Sequence, residues 1–302
     1  SVLKHILTRH EQGAVHAAQG YARVSGKVGV CVATSGPGAT NLITGIADAM
    51  IDSTPLVCIT GQVVSPLLGT DAFQESDVVG ISMPVTKWNY QITSPEEIPS
   101  AIAKAFYIAK SGRPGPVLLD ITKDAQFGKL SYNYRKCHKI RSYVPEYPAD
   151  KSLLKKAADL INDAKKPFLL YGQGVLLSGA EKELLNFIDK TGIPSAGTLL
   201  GLSAIPTTHA LNMGMLGMHG NYAPNIKTNE CDVLIAVGMR FDDRVTGSLA
   251  TYAKQAKVIH IEIDPAEIDK NVKTTVGLLG DAKHTLRLLS RLVNKTQHPE
   301  WI

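Results

Sequence analysis

Arg9-His10-Glu11-Gln12-Gly13, running on through Ala14-Val15-His16-Ala17-Ala18-Gln19-Gly20-Tyr21-Ala22-Arg23, sets one carboxylate at the head of an alanine-rich segment. Apolar residues recur at Ala14, Ala17, Ala18, Tyr21 and Ala22, the spacing of a single helix face. The spacing predicts a helix over 11–24. Ser25-Gly26 supplies its stop, because Gly26 can take the left-handed cap geometry. Most of the apolar face is small, so another backbone or a flat ligand can come close to it. Glu11 in the first turn is favoured by the helix dipole.

The neighbouring residues extend this helix into an alternating pattern. Val28 to Thr34 reads as a buried strand, and Ser35-Gly36-Pro37-Gly38-Ala39-Thr40-Asn41 as a tight turn into the next helix. That turn lacks the lysine and hydroxyl of GxxxxGK[ST], so it is not a phosphate loop. Further strands are expected at Pro55 to Thr60, Val85 to Tyr90 and Val117 to Ile121, with helices over 39–51 and from Ile98 to Ser111. Ser94-Pro95-Glu96-Glu97 has the form of a capping box. Short apolar strands alternating with helices indicate a parallel sheet covered on both faces. This first domain is read as 1–131. Residues 132–149 are basic and aromatic with Pro145 and Pro148, the composition of a linker. A second alternating unit fills 150–302: helix 151–164, strand Pro167 to Tyr171, helix 179–191, strands Pro194 to Gly197, Cys231 to Val237 and Val258 to Ile263, and a closing helix from Asp281 to Val293. The expected fold class is α/β, with two doubly wound parallel-sheet domains.

Composition agrees with globular domains. The chain has 302 residues, 44% hydrophobic and 20% charged, and its 32 basic and 27 acidic residues leave +5. No basic block marks a nucleic-acid surface, and no apolar run reaches the roughly 18 residues of a membrane span. Cys31, Cys58, Cys137 and Cys231 form no CxxC pair, which removes zinc-ribbon and thioredoxin-like readings. Cys31 and Cys58 sit in apolar strands, as buried free thiols of a reducing compartment do.

Taken together, RHEQGAVHAAQGYAR, TSGPGATN (Thr34 to Asn41) and GTDAFQE (Gly69 to Glu75) resemble the pyrimidine-binding domain of thiamine-diphosphate enzymes, and within them the acetolactate synthase catalytic subunits. The resemblance runs from about Leu3 to about Leu289. It implies that Glu11 is the carboxylate set against N1′ of the aminopyrimidine, where protonation lets the C2 proton of the thiazolium be removed. Burial among small apolar residues is expected to keep such a group protonated near neutral pH. Pro37 and Asn41 would lie near the aminopyrimidine, Gln74 against the cofactor of the facing subunit's site, and Phe73 in the substrate pocket under cover. Lys123, Asp243, Arg244 and Lys87 would line the substrate channel, with Arg244 selecting the second 2-oxo acid.

The second domain offers strand-end residues for a nucleotide. Gly172-Gln173-Gly174 is a near-miss to a dinucleotide fingerprint, weak alone. Leu216-Gly217-Met218-His219-Gly220 and Gly238-Met239-Arg240-Phe241-Asp242-Asp243-Arg244 resemble flavin-binding segments of the family. So does the run Glu262-Ile263-Asp264, with Asp281 and Ala282 closing the region. Thr198 and Leu199, at another strand end, join this set. An acidic residue there suits ribose hydroxyls and Arg240 suits a pyrophosphate. Arg113 and Ser53 carry over as flavin contacts from the first domain. His219 has no second ligand at metal spacing, so no metal site is assigned to these residues.

Two departures stand out. Val64-Ser65-Pro66 replaces the Pro-Arg that usually follows Gly61-Gln62-Val63 in the family. The GDG motif and downstream Asn that hold Mg2+ and the diphosphate are not in this sequence; Gly280-Asp281 falls in the flavin region. The expectation is therefore the first two domains of a three-domain subunit, inactive alone. The intact enzyme would use thiamine diphosphate, FAD and Mg2+ to condense two pyruvates to 2-acetolactate, or pyruvate with 2-oxobutyrate, in branched-chain amino-acid biosynthesis. It would be cytoplasmic, a homodimer or tetramer, with a small regulatory subunit and neither nucleic-acid nor membrane partners. Competing readings are another thiamine-diphosphate carboligase or decarboxylase, such as sulfoacetaldehyde acetyltransferase, and a non-catalytic nucleotide-binding module.

Overall fold

The computed structural model describes residues 4–302. The chain divides into two units, one ending at Pro145 and one running from Glu146 to Ile302. The division falls inside the basic stretch, because Tyr143 is tied into the first unit. Its hydroxyl donates to the Ser111 carbonyl at 2.9 Å and its ring meets Tyr107 edge-on at 6.1 Å.

The first unit runs α1 (Glu11–Ser25), β1 (Gly29–Ala33), α2 (Pro37–Thr40), α3 (Ile43–Ile51), β2 (Leu56–Gln62), α4 (Val78–Ser82), β3 (Trp88–Ile92), α5 (Ile98–Lys110), β4 (Pro116–Thr122) and α6 (Lys123–Phe127). Its four strands are all parallel, in the order β1-β2-β4-β3. Alternate residues of the strands feed two cores. Cys31, Ala33, Leu56, Cys58 and Leu118 pack against α1 and α3, while Val57, Val117, Leu119 and Ile121 pack against α5. That is a doubly wound sheet, built from near-continuous apolar strands.

The second unit runs α7 (Lys151–Asp163), β5 (Pro167–Tyr171), α8 (Gln173–Leu177), α9 (Glu181–Thr191), β6 (Ser195–Gly197), β7 (Asn212–Met215), α10 (Tyr222–Glu230), β8 (Val233–Val237), α11 (Asp243–Thr246), β9 (Lys257–Glu262), β10 (Val276–Leu279) and α12 (Ala282–Leu292). Six parallel strands lie in the order β10-β9-β8-β5-β6-β7. Helices α7, α9 and α12 close one face over Leu169, Ile235 and Ile259. The other face holds Phe168, Leu170, Met239, Phe241, Tyr252 and Trp301. Full burial of a side chain such as Phe168 or Phe187 contributes about 1.5–3 kcal/mol.

Several expected elements shift. The helix read over 39–51 is broken at Asn41-Leu42 into α2 and α3. Met83–Val85 forms a turn of 3-10 helix around Pro84, so β3 starts at Trp88 rather than Val85. Ser94 does not complete the capping box: its hydroxyl goes to the Glu96 carboxylate, and Glu97 reaches the Thr93 amide at 3.3 Å and the Tyr90 hydroxyl at 2.7 Å. Gly26 does cap α1, at φ 66° with its N–H on the Ala22 carbonyl at 3.0 Å. Cys31 and Cys58 face each other in register on β1 and β2, with their sulfurs 3.3 Å apart. The Cys31 contact and burial push the Cys58 thiol well up.

Candidate active site

Three separated motifs meet at the carboxyl end of β1. Glu11 begins α1 behind His10, whose Nδ1 accepts the Gln12 amide at 3.1 Å. Across from it, the break between α2 and α3 presents Asn41, whose Nδ2 donates to Glu11 Oε2 at 3.1 Å. The other carboxylate oxygen faces Gly38: a Cβ built there would stand 3.5 Å from Glu11 Oε1. Gly36, at φ 59°, meets the third motif. A Cβ there would lie 2.8 Å from the Gln74 carbonyl oxygen. The structure thus brings Glu11, Gly36, Pro37, Gly38, Asn41 and Gln74 into one cluster.

Two expectations for this cluster are corrected. Glu11 is half-exposed, and the Asn41 hydrogen bond together with a backbone hydrogen bond holds its carboxyl below the ordinary range. Within this chain, therefore, burial does not keep it protonated. Phe73 is 87% exposed and has no cover from its own loop.

Lys87 is held within the first unit. Its ammonium donates to the carbonyls of Ile108 and Ser111, the latter at 2.6 Å, and to the Tyr143 hydroxyl at 3.1 Å. A cation at the last carbonyls of α5 is well placed against the helix dipole. That geometry gives Lys87 a capping role at the end of α5. Lys123 does stand exposed at the carboxyl end of β4, at the start of α6. Beside it Asp124 accepts the Ser65 amide at 3.0 Å and also meets the Thr122 hydroxyl, which brings its carboxyl down to about 2. The unusual Val64-Ser65-Pro66 segment is tied to α6 by that bond. Ser53, at φ 55°, accepts Arg113 Nε at 2.9 Å, so these two expected flavin contacts are paired with each other.

In the second unit the strand order reverses direction between β5 and β8, the place where open α/β sheets take ligands. Gly172 and Gly174 follow β5, and Gly238 follows β8. Their backbones touch: a Cβ on Gly174 would lie 2.6 Å from Gly238 Cα, and the Gly174 amide donates to the Gly238 carbonyl at 2.8 Å. The 216–220 segment joins them, since the Met218 amide donates to the Arg244 carbonyl at 2.7 Å. Arg240 is partly exposed and stands 4.0 Å from Asp242. Met218 and Leu199, 58% and 68% exposed, offer apolar surface at these strand ends. Leu216, Gly217, Met239 and Ala282 are buried, His219 is exposed, and Thr198 and Ile263 are half-buried.

The acidic residues of this region carry backbone work. Asp242 caps α11 through the Arg244 and Val245 amides, and Asp281 caps α12 through the His284 amide. Glu262 Oε1 accepts the Ile263 amide at 2.9 Å. Asp243 and Arg244 are exposed, 3.9 Å from one another. Among the described residues no three His, Cys, Asp or Glu side chains gather to hold a metal ion.

Sequence reasoning passed over three residues with work near these clusters. Asn225 grips both the amide and the carbonyl of Gly217, at 2.9 Å each. Glu75 folds back on its own loop, accepting the amides of Gly69, Thr70 and Ala72. Asp120 lies fully buried on β4, bonded to Thr60, Gln62 and Gln91, and burial raises its pKa. The available signal was a carboxylate in the middle of Val117-Leu118-Leu119-Asp120-Ile121, flanked by apolar residues on both sides.

Sequence comparison places the chain among known proteins. Residues 1–81 match the family described as thiamine pyrophosphate enzyme, N-terminal TPP binding domain, and residues 154–289 match thiamine pyrophosphate enzyme, central domain. A probable acetolactate synthase large subunit of Methanocaldococcus jannaschii is 52% identical over 297 residues, covering 97% of this chain and 50% of that protein. The acetolactate synthase large subunit of Corynebacterium glutamicum is 52% identical over 295 residues, covering 98% of this chain and 47% of its own length. That of Haemophilus influenzae is 48% identical over 296 residues, covering 97% and 52%. The chain spans about half the length of the curated relatives it matches.

Proposed function

We propose, from the premise that the chain belongs to the thiamine pyrophosphate enzymes, that it is the pyrimidine-binding and central part of an acetolactate synthase catalytic subunit. The activity would join two pyruvates to 2-acetolactate with release of carbon dioxide, or pyruvate to 2-oxobutyrate. The observation that carries the proposal is the meeting of Glu11, Asn41, the Gly36–Gly38 turn and Gln74.

Thiamine diphosphate, when bound, supplies the carbon nucleophile that adds to a 2-oxo acid. The donor set fits it. Glu11 would hold a proton at the N1′ atom of the aminopyrimidine, with Asn41 fixing one carboxylate oxygen and leaving Oε1 toward the ring. Excluding water from this half-exposed carboxyl raises its pKa, the direction such a proton carrier needs. Gly38 has no side chain beyond its α-carbon, so the turn lets a flat ring approach. Gln74 and Phe73 would face the bound groups, and Lys123 with Asp243 and Arg244 would attract the carboxylates of the oxo acids.

FAD fits the second unit through the glycine-lined strand ends, Arg240 for the pyrophosphate, and Leu199 and Met218 as apolar cover. Its role would be to hold geometry. We assign Mg2+ no ligand among the described residues. Cytoplasmic residence, association of catalytic subunits and a small regulatory subunit complete the proposal. The relatives' description as large subunits supports the last of these. No described helix is long and apolar enough to cross a membrane.

The deciding experiment is Glu11→Gln in the intact protein, assayed for acetolactate formation. Loss of a required proton carrier should slow turnover by roughly 10²–10⁴-fold, and turnover near the parent rate overturns the assignment. Arg240→Ala should in parallel weaken FAD, followed by flavin fluorescence, by roughly one to two powers of ten.

A further inference from the structure

The loop that carries Phe73 and Gln74 holds a shape that a free chain avoids. Asp71 and Gln74 both stand at φ 59°, the left-handed region that non-glycine residues enter at a cost. Two such residues within four positions need something to impose them. Inside the loop that agent is Glu75. Its carboxylate turns back and accepts the Gly69 amide, the Thr70 amide at 3.3 Å and the Ala72 amide at 3.1 Å. An ionised carboxylate is acceptor-only and can serve several amides at once, whereas a glutamine offers one acceptor oxygen and turns an N–H2 toward the remaining donors. Backbone amides converging on one anion are a strong local constraint.

A second constraint comes from below. Gln62 Nε2 donates to the carbonyl of Ser76, the residue after Glu75, at 2.9 Å, and also to Asp120 Oδ2 at 3.1 Å. The Gln62 amide cannot turn over, because its oxygen already accepts the Val63 amide at 2.9 Å. Asp120 itself is clamped by the Thr60 hydroxyl at 2.7 Å and by Gln91 Nε2 at 3.0 Å. The end of the loop is thus anchored to strands β2, β3 and β4.

We propose that Glu75 is a positioning residue, which holds Gln74 in the left-handed conformation that lays its backbone on Gly36 and so delivers it to the Glu11 cluster, with Gln62 and Asp120 as the floor beneath the loop. The proposal rests on reading Gln74 as a cofactor-facing residue. Its functional content is that Gln74 is pre-placed before any ligand arrives, so ligand binding does not have to order the loop. Removing the anion leaves the strands intact and frees only this segment.

The test needs no cofactor, so it fails separately from the acetolactate synthase reading. Hydrogen exchange is followed by mass spectrometry on the parent chain, Glu75→Gln and Glu75→Asp. The aspartate keeps the charge but is one methylene too short to reach the same amides. Both variants should exchange about tenfold faster across 69–76, with β2 and β4 unchanged, since loops and strands open with separate free energies. Chymotrypsin, which cuts after Phe73, supplies an independent readout: cleavage should accelerate by a similar factor in both variants, because the parent loop must open to enter the protease. Parent-like exchange and cleavage in Glu75→Gln overturn the proposal. So does a loss of protection shared equally by 69–76 and the strands, which would make Glu75 a general stabiliser, and so does full protection in Glu75→Asp.

Discussion

Gly36→Ala tests the meeting of the motifs most directly. The residue sits at φ 59° and ψ −119°, a conformation open to glycine and strained for alanine, at about 1–3 kcal/mol. The added methyl would also stand 2.8 Å from the Gln74 carbonyl oxygen and 3.0 Å from Gln74 Cα. Those are main-chain atoms of a loop already pinned at Glu75 and Ser76, so relief has to come from moving backbone, an overpacking cost of about 1–3 kcal/mol. The two together predict a loss of about 2–6 kcal/mol from the first unit. Each unit contains one tryptophan, Trp88 on β3 and Trp301 near the carboxyl end. In a Trp301→Phe background, urea unfolding followed by Trp88 fluorescence reports the first unit alone. With a slope of about 2 kcal/mol/M, the midpoint should fall by about 1–3 M. Gly20→Ala is the control: no atom lies within 4 Å of its added Cβ, and alanine inside a helix should stabilise by about 0.5–1 kcal/mol. If Gly36→Ala unfolds within about 0.5 kcal/mol of the parent, or is stabilised as Gly20→Ala is, the packing of the Ser35–Gly38 turn on Gln74 is wrong.

Two further outcomes follow from charged groups outside the proposed chemistry. Lys87→Met should cost the first unit about 1–2 kcal/mol by Trp88 unfolding, because the last carbonyls of α5 and the Tyr143 hydroxyl lose their cation; a purely substrate-facing lysine would leave that curve unchanged. His260 is buried with Nε2 donating to the Met239 carbonyl at 2.8 Å and Nδ1 without a hydrogen-bond partner, and burial lowers its pKa below 6.5. For a base lowered on folding, the unfolded chain takes up the proton first, so stability is full above pH 6.5 and falls as pH drops through that value toward the folded pKa. His298 is lowered by burial in the same direction. Trp301 unfolding curves should therefore weaken below pH 6.5, and His260→Leu should flatten part of that decline, leaving the share of His298.

Strands and long helices were legible because their patterns are strong. Val233 to Val237 is the buried strand its apolar run suggests, and the helix over 11–24 meets its glycine stop at Gly26; Val28 to Thr34 does form a strand, but Val30 and Val32 on it are exposed, so it is not buried on both faces. Short edge strands escaped. Asn212-Met213-Gly214-Met215 has little β propensity, and Val276 to Leu279 is only four residues long. Helix α10 escaped because Tyr222 to Glu230 is polar around most of its circumference. Within the site, the resemblance to thiamine-diphosphate enzymes pointed to Glu11, Asn41 and Gln74, but it could not say what the Glu11 carboxylate is bonded to in this chain. Asp242 and Asp281 also cap helices α11 and α12, which their sequence does not reveal. The contact of Lys87 with the end of α5 is reached only through the fold. Those assignments depend on which backbone amides and carbonyls the turns leave unpaired, information carried by three-dimensional packing.

The contact of Gly172, Gly174 and Gly238 has a genetic consequence. Every single-base missense change at a glycine codon produces a residue with a Cβ, or a stop. At these positions that carbon would arrive 2.4 Å from the Gly238 carbonyl, 2.6 Å from Gly238 Cα and 2.8 Å from Gly174 Cα. The obstacle in each case is main chain, which no side-chain substitution elsewhere can shorten. Second-site suppressors of such lesions should therefore be scarce among point mutations and should come instead from loop-length changes after β5 or β8. The two turns form one mutational target, although more than sixty residues of chain separate them.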